Sequence, residues 1–315
     1  MSIPTDPTIA AASQEGSGGP AAAPIGEDVE ALGRGRLVLR RFLRRKTAIA
    51  GLVVIVLLFL LAFVGPFLTH WSYTSKDFNA FLQGPSTSHW FGTTQIGQDV
   101  YAQTLRGLQK SLVIGLLVAV FSTGLAAVVG AFAGYYGGLV DRVLMWIVDL
   151  LLVLPSFLVI AILSPNFRGH TWLLFVLLLA LFSWQITARV VRGLALSLRE
   201  REFVQAARFM GVPSRTIIFR HLLPSMSSLL IIDATINVGA AIIGETSLSY
   251  FGFGVQPPDV SLGTLIADGT RSALTFPWLF LFSGGLLILT VLAVSVVGDG
   301  LRDALDPNAG AVRAR

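Results

Sequence analysis

The chain has 315 residues, of which 54% are hydrophobic and only 13% are charged, whereas soluble domains carry about 25% charged residues. This composition excludes an ordinary soluble globular protein and favours one whose solvent is largely lipid. The formal net charge of +5 then indicates basic cytoplasmic loops rather than a nucleic-acid partner, because Lys and Arg collect on the cytoplasmic side of membrane proteins. The lack of cysteine excludes disulfides, thiolate metal sites and cysteine nucleophiles.

The N-terminal segment, residues 1–33, differs from the rest of the chain in composition. It is rich in Ala, Gly, Pro and Ser without apolar periodicity, so we expect a disordered tail. It also lacks the apolar core of a signal peptide. A basic amphipathic segment follows at 34–46. The first apolar run begins at Ala48 and has the length of an uncleaved membrane anchor.

Six stretches are apolar over about the 20 residues that a helix needs to cross the hydrocarbon core. Four of them carry no charged residue, and the other two contain isolated carboxylates. The stretches are 48–69, 111–140, 143–163, 169–188, 227–249 and 272–298. The sequence therefore predicts an all-α integral membrane protein of about six transmembrane helices.

The distribution of basic residues predicts the orientation of these spans. Seven basic residues lie between positions 34 and 46, and seven arginines lie between positions 189 and 220. The opposite side has only Lys76, Arg106, Lys110, Arg168 and Arg271. With an even number of spans, this bias places both termini in the cytoplasm. Trp71, Trp172 and Trp278 then lie at outer ends of spans, where aromatic belts form.

These features divide the chain into five parts. After the tail come the amphipathic segment with the first span (34–69), an extracytoplasmic segment (70–110), a core transmembrane domain (111–300) and a cytoplasmic C-terminal tail (301–315). The core contains a long cytoplasmic loop centred on 199–224. Gly and Pro in the outer segments 70–110 and 250–277 predict ordered turns, and we expect short helices in 70–110.

Glycines in the second span follow the small-xxx-small pattern of closely packed membrane helices. Gly130 and Gly134 form one such pair, and Gly134 and Gly138 form another. The spacing lets two helix backbones approach each other. It is common in membrane helices and therefore indicates no particular partner.

Sequence motifs of catalysis are absent from the chain. There is no P-loop, no HExxH zinc motif and no nucleophile elbow. The four histidines are scattered, so we expect no metal site and no catalytic residue. If the protein transports actively, the energy must come from a partner or from an ion gradient.

The loop 199–224 reads REREFVQAARFMGVPSRTIIFRHLLP and predicts a helix–turn–helix. Phe203, Ala206, Ala207 and Met210 share one apolar face by their spacing. Gly211 and Pro213 end this helix. Ser214 is placed to cap a second helix with Ile217, Ile218, His221 and Leu222, which Pro224 ends. The plainer alternative is an amphipathic hairpin on the membrane surface, but the alanines and glycine leave room for another protein to come close.

This loop resembles the coupling loop of ABC importer permeases. The family pattern is Glu-Ala-Ala, three residues, Gly, nine residues, and a short block ending in Leu-Pro. Gln205, Ala206, Ala207, Gly211 and the block His221–Pro224 match its spacing. Gln205 departs from the family glutamate, and Glu202, one turn earlier, is a candidate substitute. Further motifs are similar to the C-type permease of oligopeptide and dipeptide importers: FGTTQIGQDVYAQTLRG (91–107), AGYYGGLVDRVLMWIVDLLLVLPSF (133–157), GETSLSYFGFGVQPPDVSLGTLIADG (244–269) and GDGLRDALDP (298–307).

The resemblance implies a type I ABC importer permease in a bacterial plasma membrane, importing oligopeptides. It implies a homologous B-type permease as partner, two cytoplasmic ATPases that bind ATP and Mg, and an extracytoplasmic peptide-binding protein, which segment 70–110 is placed to touch. No cofactor belongs to this chain itself. Glu202, Gln205, Ala206, Ala207 and Gly211 would form the ATPase-coupling loop. Dipeptides, nickel chelates or haem are alternative cargoes within the family.

Four polar residues inside the predicted spans are candidates for the translocation path: Asp149, Asp233, Asn237 and Glu245. A carboxylate at mid-bilayer costs about 2.5–3.5 kcal/mol on insertion scales, so it should face protein or water. Asp233 and Asn237 are one helical turn apart. The alternatives are a structural hydrogen-bond network for Asp149, Asp233 and Asn237, and a gate or a solvated position for Glu245. A proton-driven secondary transporter and a membrane-embedded enzyme are the competing functions, and neither requires the coupling-loop spacing.

Overall fold

The computed structural model describes residues 34–164 and 172–305. The predicted tail 1–33, the beginning of the fourth predicted span at Gly169, and residues 306–315 lie outside the described residues. Described residues form thirteen α-helices: α1 Arg34–Leu43, α2 Lys46–Val64, α3 Val100–Tyr136, α4 Gly138–Val153, α5 Ser156–Leu163, α6 Trp172–Leu181, α7 Gln185–Arg199, α8 Glu202–Phe209, α9 Ser214–Ile217, α10 Leu223–Ser225, α11 Ser227–Tyr250, α12 Leu262–Thr270 and α13 Trp278–Leu305. A 3₁₀ turn, Gly65–Leu68, extends α2.

The helices confirm the prediction of about six spans. Four of them are single helices long and apolar enough to cross a membrane, namely α2 with its 3₁₀ turn, α3, α11 and α13. Two bent pairs, α4 with α5 and α6 with α7, bring the number to six when each pair is counted as one span. Most of these helices expose apolar side chains on the surface of the chain. Such side chains are expected where the helices contact lipid instead of water.

The third span is broken, where the hydropathy pattern predicted one continuous run over 143–163. Helices α4 and α5 meet at an angle of 78°. The cause is local, because Pro155 has no backbone N–H and forces the preceding residue out of the helical region. Leu154 accordingly has an extended backbone, with φ −71° and ψ 125°. The bend between α6 and α7, which is 48°, follows Leu181.

The third helix begins before the apolar run that the sequence predicts as the second span. Helix α3 begins at Val100 rather than at 111, because Asp99 caps it by accepting a hydrogen bond from the Ala102 amide. Residues 70–99 form turns with two isolated bridges, Lys76 to Gln98 and Thr93 to Asp99. The expectation of short helices in this segment was therefore wrong: its turns are ordered, but its helical part is the start of α3.

Helix α3 lies at the centre of the molecule and packs along α7 and α11. A side chain at Gly130 would meet the Ala188 carbonyl at 2.5 Å, and one at Gly134 would meet the Ala195 Cβ at 2.6 Å. The first GxxxG pair thus joins α3 to α7 within this chain. Gly138 lies in open space at the start of α4, so the second pair is not a packing motif.

The two ends of the molecule are defined by contacts between distant segments. At one end, Phe42 and Ala48 pack with Val297 and Ala304 of α13, in one apolar cluster. At the other end, the Trp278 indole donates to the Thr93 carbonyl at 3.3 Å. Since α3 runs away from the second end, its last turn and the loop 199–224 lie at the first end. The described parts of the segments predicted to be cytoplasmic therefore share one end, which we call the inner end. We call the opposite end the outer end; the orientation in the membrane stays a prediction.

Candidate coupling surface and intramembrane polar sites

Helix α8 is anchored to the protein by one narrow face. Val204 and Ala207 are 1% and 3% exposed and belong to one apolar cluster with Ile217, Ile218 and Leu222. This differs from the predicted apolar face, of which only Ala207 is buried. The other members of that face point outward, because Val204 rather than Phe203 occupies the core position.

Gly211 ends α8 as predicted, in the left-handed conformation with φ +75°. The Val212 amide donates to the Ala207 carbonyl at 3.1 Å, and the Gly211 amide donates to the Arg208 carbonyl at 3.0 Å. This pair of bonds is a Schellman cap, which satisfies the last carbonyls of the helix. No atom lies within 4 Å of a side chain built at Gly211, so its backbone conformation alone favours glycine.

The second helix of the hairpin departs from the prediction at both ends. Helix α9 begins with Ser214 itself, and Pro213 occupies the N-cap without a side-chain bond, so the capping role expected of Ser214 was wrong. Pro224 does not end the helical stretch either. A π-helical segment, Ile218–Leu222, leads directly into α10, which contains Pro224 in its first turn. Pro is tolerated there because the first turn of a helix needs no N–H donor.

The outward side of α8 carries a patch of apolar side chains, which we call the coupling surface: Phe203, Ala206, Phe209 and Met210. Phe209 is 89% exposed, Met210 75% and Phe203 46%. Ala206 is also exposed. An apolar patch at the end of a short helix, outside the membrane spans, is the usual sign of an interaction site.

The polar residues of the predicted coupling loop surround this surface. Glu202 and Gln205 are both exposed. Glu202 lies in the first turn of α8, where the helix dipole favours an acidic side chain. The Gln205 amide donates to the Glu200 carbonyl at 3.2 Å, a bond that a glutamate could not make. Beside the surface, a cleft of about 960 Å³ lies between Tyr135, Tyr136 and Phe209.

Asp233 and Asn237 form one polar cluster within the spans. The Asp233 carboxylate accepts hydrogen bonds from the Thr123 hydroxyl at 2.8 Å, the Thr187 hydroxyl at 2.7 Å and the Asn237 amide at 2.9 Å. The cluster connects α3, α7 and α11, and its Asp and Asn are only partly buried. The sequence pointed to Asp233 and Asn237 but missed both threonines, which look like ordinary small residues in apolar runs.

Glu245 lies in a second, closed cluster. It is 0% exposed and accepts hydrogen bonds from the hydroxyls of Ser111, at 3.3 Å, and Ser249, at 2.5 Å. The Leu262 amide donates to the same Ser111 oxygen at 3.3 Å. The cluster thus joins α3, α11 and the start of α12, and the alternative of a solvated Glu245 was wrong.

Asp149 lies apart from both clusters. Its carboxylate accepts a hydrogen bond from Arg189 at 2.5 Å, joining α4 to α7. The side chains of Asp149 and Arg189 are 56% and 52% exposed on this chain. Of the four translocation candidates, the structure brings only Asp233 and Asn237 together. Glu245 is buried between helices, and Asp149 lies on a surface of the chain.

Up to six apolar spans with hydrogen-bonded polar clusters between them, and a capped loop helix with exposed apolar residues, define a multi-span membrane protein. The chain belongs to the family of binding-protein-dependent transport system inner membrane components, whose model matches residues 126–310. Residues 33–85 match the N-terminal transmembrane domain of oligopeptide transport permease C.

Curated relatives cover most of the chain. It is 58% identical over 281 residues to the oligopeptide transport system permease protein OppC of Mycobacterium tuberculosis, covering 89% of this chain and 97% of the relative. It is 36% identical to the dipeptide transport system permease protein DppC of Alkalihalophilus pseudofirmus, covering 86% and 89%. A solved structure of the MetNI methionine ABC transporter in inward-facing form matches 65% of this chain and 96% of its own, with a TM-score of 0.50 and 20% identity. That likeness shows the ABC transporter permease fold.

Proposed function

We propose that this chain is a transmembrane permease subunit of an ATP-binding cassette importer that moves oligopeptides into the cytoplasm across a bacterial plasma membrane. The observation that carries the proposal is the coupling surface, an apolar patch on a helix that is fixed to the spans and open on its other side. The relative with 58% identity is named an oligopeptide transport system permease protein, and the alignment covers 97% of its length. This similarity favours oligopeptides as the cargo.

The partners we propose follow from the coupling surface and from the lack of a nucleotide-binding loop in the sequence. It has no nucleotide-binding loop of its own, so ATP and Mg would be bound by two ATPase subunits at the inner end. One ATPase would cover the coupling surface of this chain, and the other would cover the equivalent loop of a homologous B-type permease. An extracytoplasmic peptide-binding protein would deliver the cargo at the outer end.

The packing of α8 explains how a docked partner would move the spans. Val204 and Ala207 fix α8 to the cluster that also contains Val191 and Ala195 of α7. Helix α7 in turn packs on α3 through Gly130 and Gly134. A displacement of α8 is therefore transmitted to two spans, and ATPases that bind one arrangement more tightly shift the whole permease toward it.

Two polar sites are suited to the translocation path: the Asp233–Asn237 cluster and the Asp149–Arg189 pair. The side chains of Asp233 and Asn237 are partly exposed, and neighbouring threonine hydroxyls hold them in position. Such a polar wall could bind the amide groups of a peptide. Asp149 and Arg189 form an ion pair that is more than half exposed. Because charges avoid hydrocarbon, we propose that this pair faces the partner permease or a water-filled path. Glu245 would hold α3, α11 and α12 together rather than line the translocation path.

The proposal is tested with Ala206→Glu, which places a charge on the coupling surface without entering the core of the hairpin. Ala207→Glu would not serve, since Ala207 is 3% exposed and a carboxylate there would disrupt α8 itself. We expect Ala206→Glu to insert and fold normally but to lose ATPase co-purification and ATP-driven peptide uptake in proteoliposomes. The matched control is Leu274→Glu, at the outer end and fully exposed, which should retain the ATPases.

The same proteoliposomes separate the competing cargoes and energy sources. Uptake of labelled pentapeptides that requires ATP supports the proposal. Preference for dipeptides would move the assignment toward the dipeptide relative. Uptake driven by a proton gradient without ATPases, with Ala206→Glu fully active, would contradict the importer and favour a secondary transporter that uses Asp233.

A further inference from the structure

Helix α1 and the short turn after it carry a concentration of positive charge. Residues 34–46 contain seven basic and no acidic residues, and the first acidic residue after them is Asp77. Arg36, Arg40 and Arg44 follow one another at intervals of four residues and are all exposed. Within the described residues, none of these three has an ion pair or hydrogen bond from its side chain.

Some other basic residues at the inner end have acidic partners. Arg192 makes a two-point ion pair with Asp141, at 2.5 and 2.6 Å, and Arg199 pairs with Glu200 at 2.9 Å. Asp303 of α13 is engaged by Arg45. Among the described residues, Arg36, Arg40 and Arg44 make no such pair, so their charge is available to a group outside the protein.

An apolar stripe runs beside these arginines. Leu39 and Leu43 are one turn apart and are 57% and 50% exposed. They do not belong to the packed face of the helix, which is formed by Val38 and Phe42 against α13. A helix with adjacent apolar and basic stripes has the composition of helices that lie in the plane of a membrane interface.

The connection to the first span fixes the depth of α1. Helix α2 begins at Lys46, directly after Arg44 and Arg45, and its charge-free run begins at the next residue. Phe42 packs in one cluster with Ala48 of α2 and Ala304 of α13. Helix α1 is thus held against the inner end of two spans, at the level where lipid headgroups lie.

We propose that α1 is a binding surface for anionic phospholipids of the adjacent leaflet, with Arg36, Arg40 and Arg44 on the headgroup phosphates and Leu39 and Leu43 among the upper acyl carbons. Arginine suits this role because its planar guanidinium donates two parallel hydrogen bonds to a phosphate. The proposal does not depend on the cargo or on the coupling surface, since it concerns only α1 and the lipid.

The test uses the full-length protein purified in detergent with equal amounts of phosphatidylglycerol and phosphatidylcholine, and counts retained lipids by native mass spectrometry. We expect preferential retention of phosphatidylglycerol. Arg40→Gln with Arg44→Gln should lower that preference by about 25-fold, at about fivefold for each charge near a membrane surface. The control, Arg142→Gln with Arg215→Gln, removes two exposed charges from the same end and should leave the preference unchanged.

Other results would overturn the proposal. An equal loss in both double variants would mean that net charge, rather than α1, attracts the lipid. Full retention in the α1 variant would exclude these arginines. Displacement of the lipid by inorganic phosphate, but not by sodium chloride of the same ionic strength, would identify a site for free anions instead. A Leu39→Ser and Leu43→Ser variant should keep the headgroup preference but retain fewer lipids of both kinds.

Discussion

The outer and inner ends of this permease differ in the residues that they bury and in the residues that they expose. At the outer end, polar groups of distant segments are bonded to each other. His89 is 1% exposed, with its Nδ1 2.8 Å from an Asp99 oxygen, and Asp259 pairs with Lys110 at 2.9 Å. At the inner end, the coupling surface offers Phe209 and Met210 to the surroundings, and Arg36 and Arg40 of α1 are exposed.

This difference concerns polar groups that are buried at the outer end. There, His89–Asp99 and Lys110–Asp259 connect segments that are distant in sequence or lie in different elements. The inner end has a fixed attachment, the cluster around Val204 and Ala207, but leaves its apolar and basic groups uncovered. Substitutions at the outer end should therefore alter stability, and substitutions on the open inner surfaces should alter binding instead.

The largest effect is expected for His89→Ala. His89 lies between Asp99, the N-cap of α3, and Asp77, whose Oδ2 is 3.5 Å from the His89 Nε2. Removing the ring leaves buried acceptors without their partner, which costs about 3 kcal/mol of unfolding free energy. Thermal or denaturant unfolding in detergent would measure this loss.

His70 provides the control for this prediction, because it lies in the same outer region but is exposed. His70→Ala should change the unfolding free energy by less than about 0.5 kcal/mol. Equal stability of the two variants would show that the outer end is not held by His89.

The next effect in size concerns binding. Phe209→Ser removes an 89% exposed ring and should leave the stability of the permease unchanged. Burial of such a ring by a partner is worth about 2 kcal/mol, so the affinity for the ATPase should fall by about 30-fold. Titration of labelled ATPase against the permease in nanodiscs would measure it.

Phe67, which is 86% exposed near the outer end, is the matched control. Phe67→Ser should bind the ATPase as the unchanged protein does. If Phe209→Ser instead destabilises the permease, and the fraction that remains folded binds the ATPase with normal affinity, the patch stabilises the fold and is not a contact surface.

A smaller effect is expected for Gly211→Ala. The new methyl group meets no atom, but φ +75° is unfavourable for any residue with a Cβ, at about 1 kcal/mol. The cost should appear as increased protease sensitivity of the hairpin 199–224. Gly193→Ala, also in open space but within α7, should be neutral or slightly stabilising.

The smallest effect is expected for Gln205→Glu, which restores the family residue. The bond from the Gln205 amide to the Glu200 carbonyl is exposed, so its loss should cost less than about 0.5 kcal/mol. Gln95→Glu, at an exposed outer position, controls for the added charge. A large destabilisation at position 205 alone would show that glutamine is required by this fold.

The sequence predicted the features that depend on local pattern. Apolar run length marked the spans, and Gly211 marked the end of α8, because lipid and backbone geometry act on each segment separately. The 78° bend at Pro155 was missed because a proline near the end of an apolar run is equally compatible with a helix end.

Features that depend on tertiary contacts could not be predicted in the same way. Asp233 bonds to Thr123 and Thr187, which are 110 and 46 residues away. The buried position of Val204, which turns Phe203 outward, is determined by packing against α9 and the π-helical segment. The spacing of apolar residues within α8 is equally compatible with a buried Phe203 and with a buried Val204.

The central claim, that an ATPase covers the coupling surface, is tested most directly by thiol protection. The chain has no cysteine, so Met210→Cys and Phe78→Cys each introduce a single site, at positions that are 75% and 73% exposed and outside the candidate spans. We predict that a water-soluble thiol reagent labels both in the isolated permease. In the complex with ATPase subunits, Met210→Cys should be protected and Phe78→Cys should still react. Full labelling of Met210→Cys in an intact complex would contradict the account.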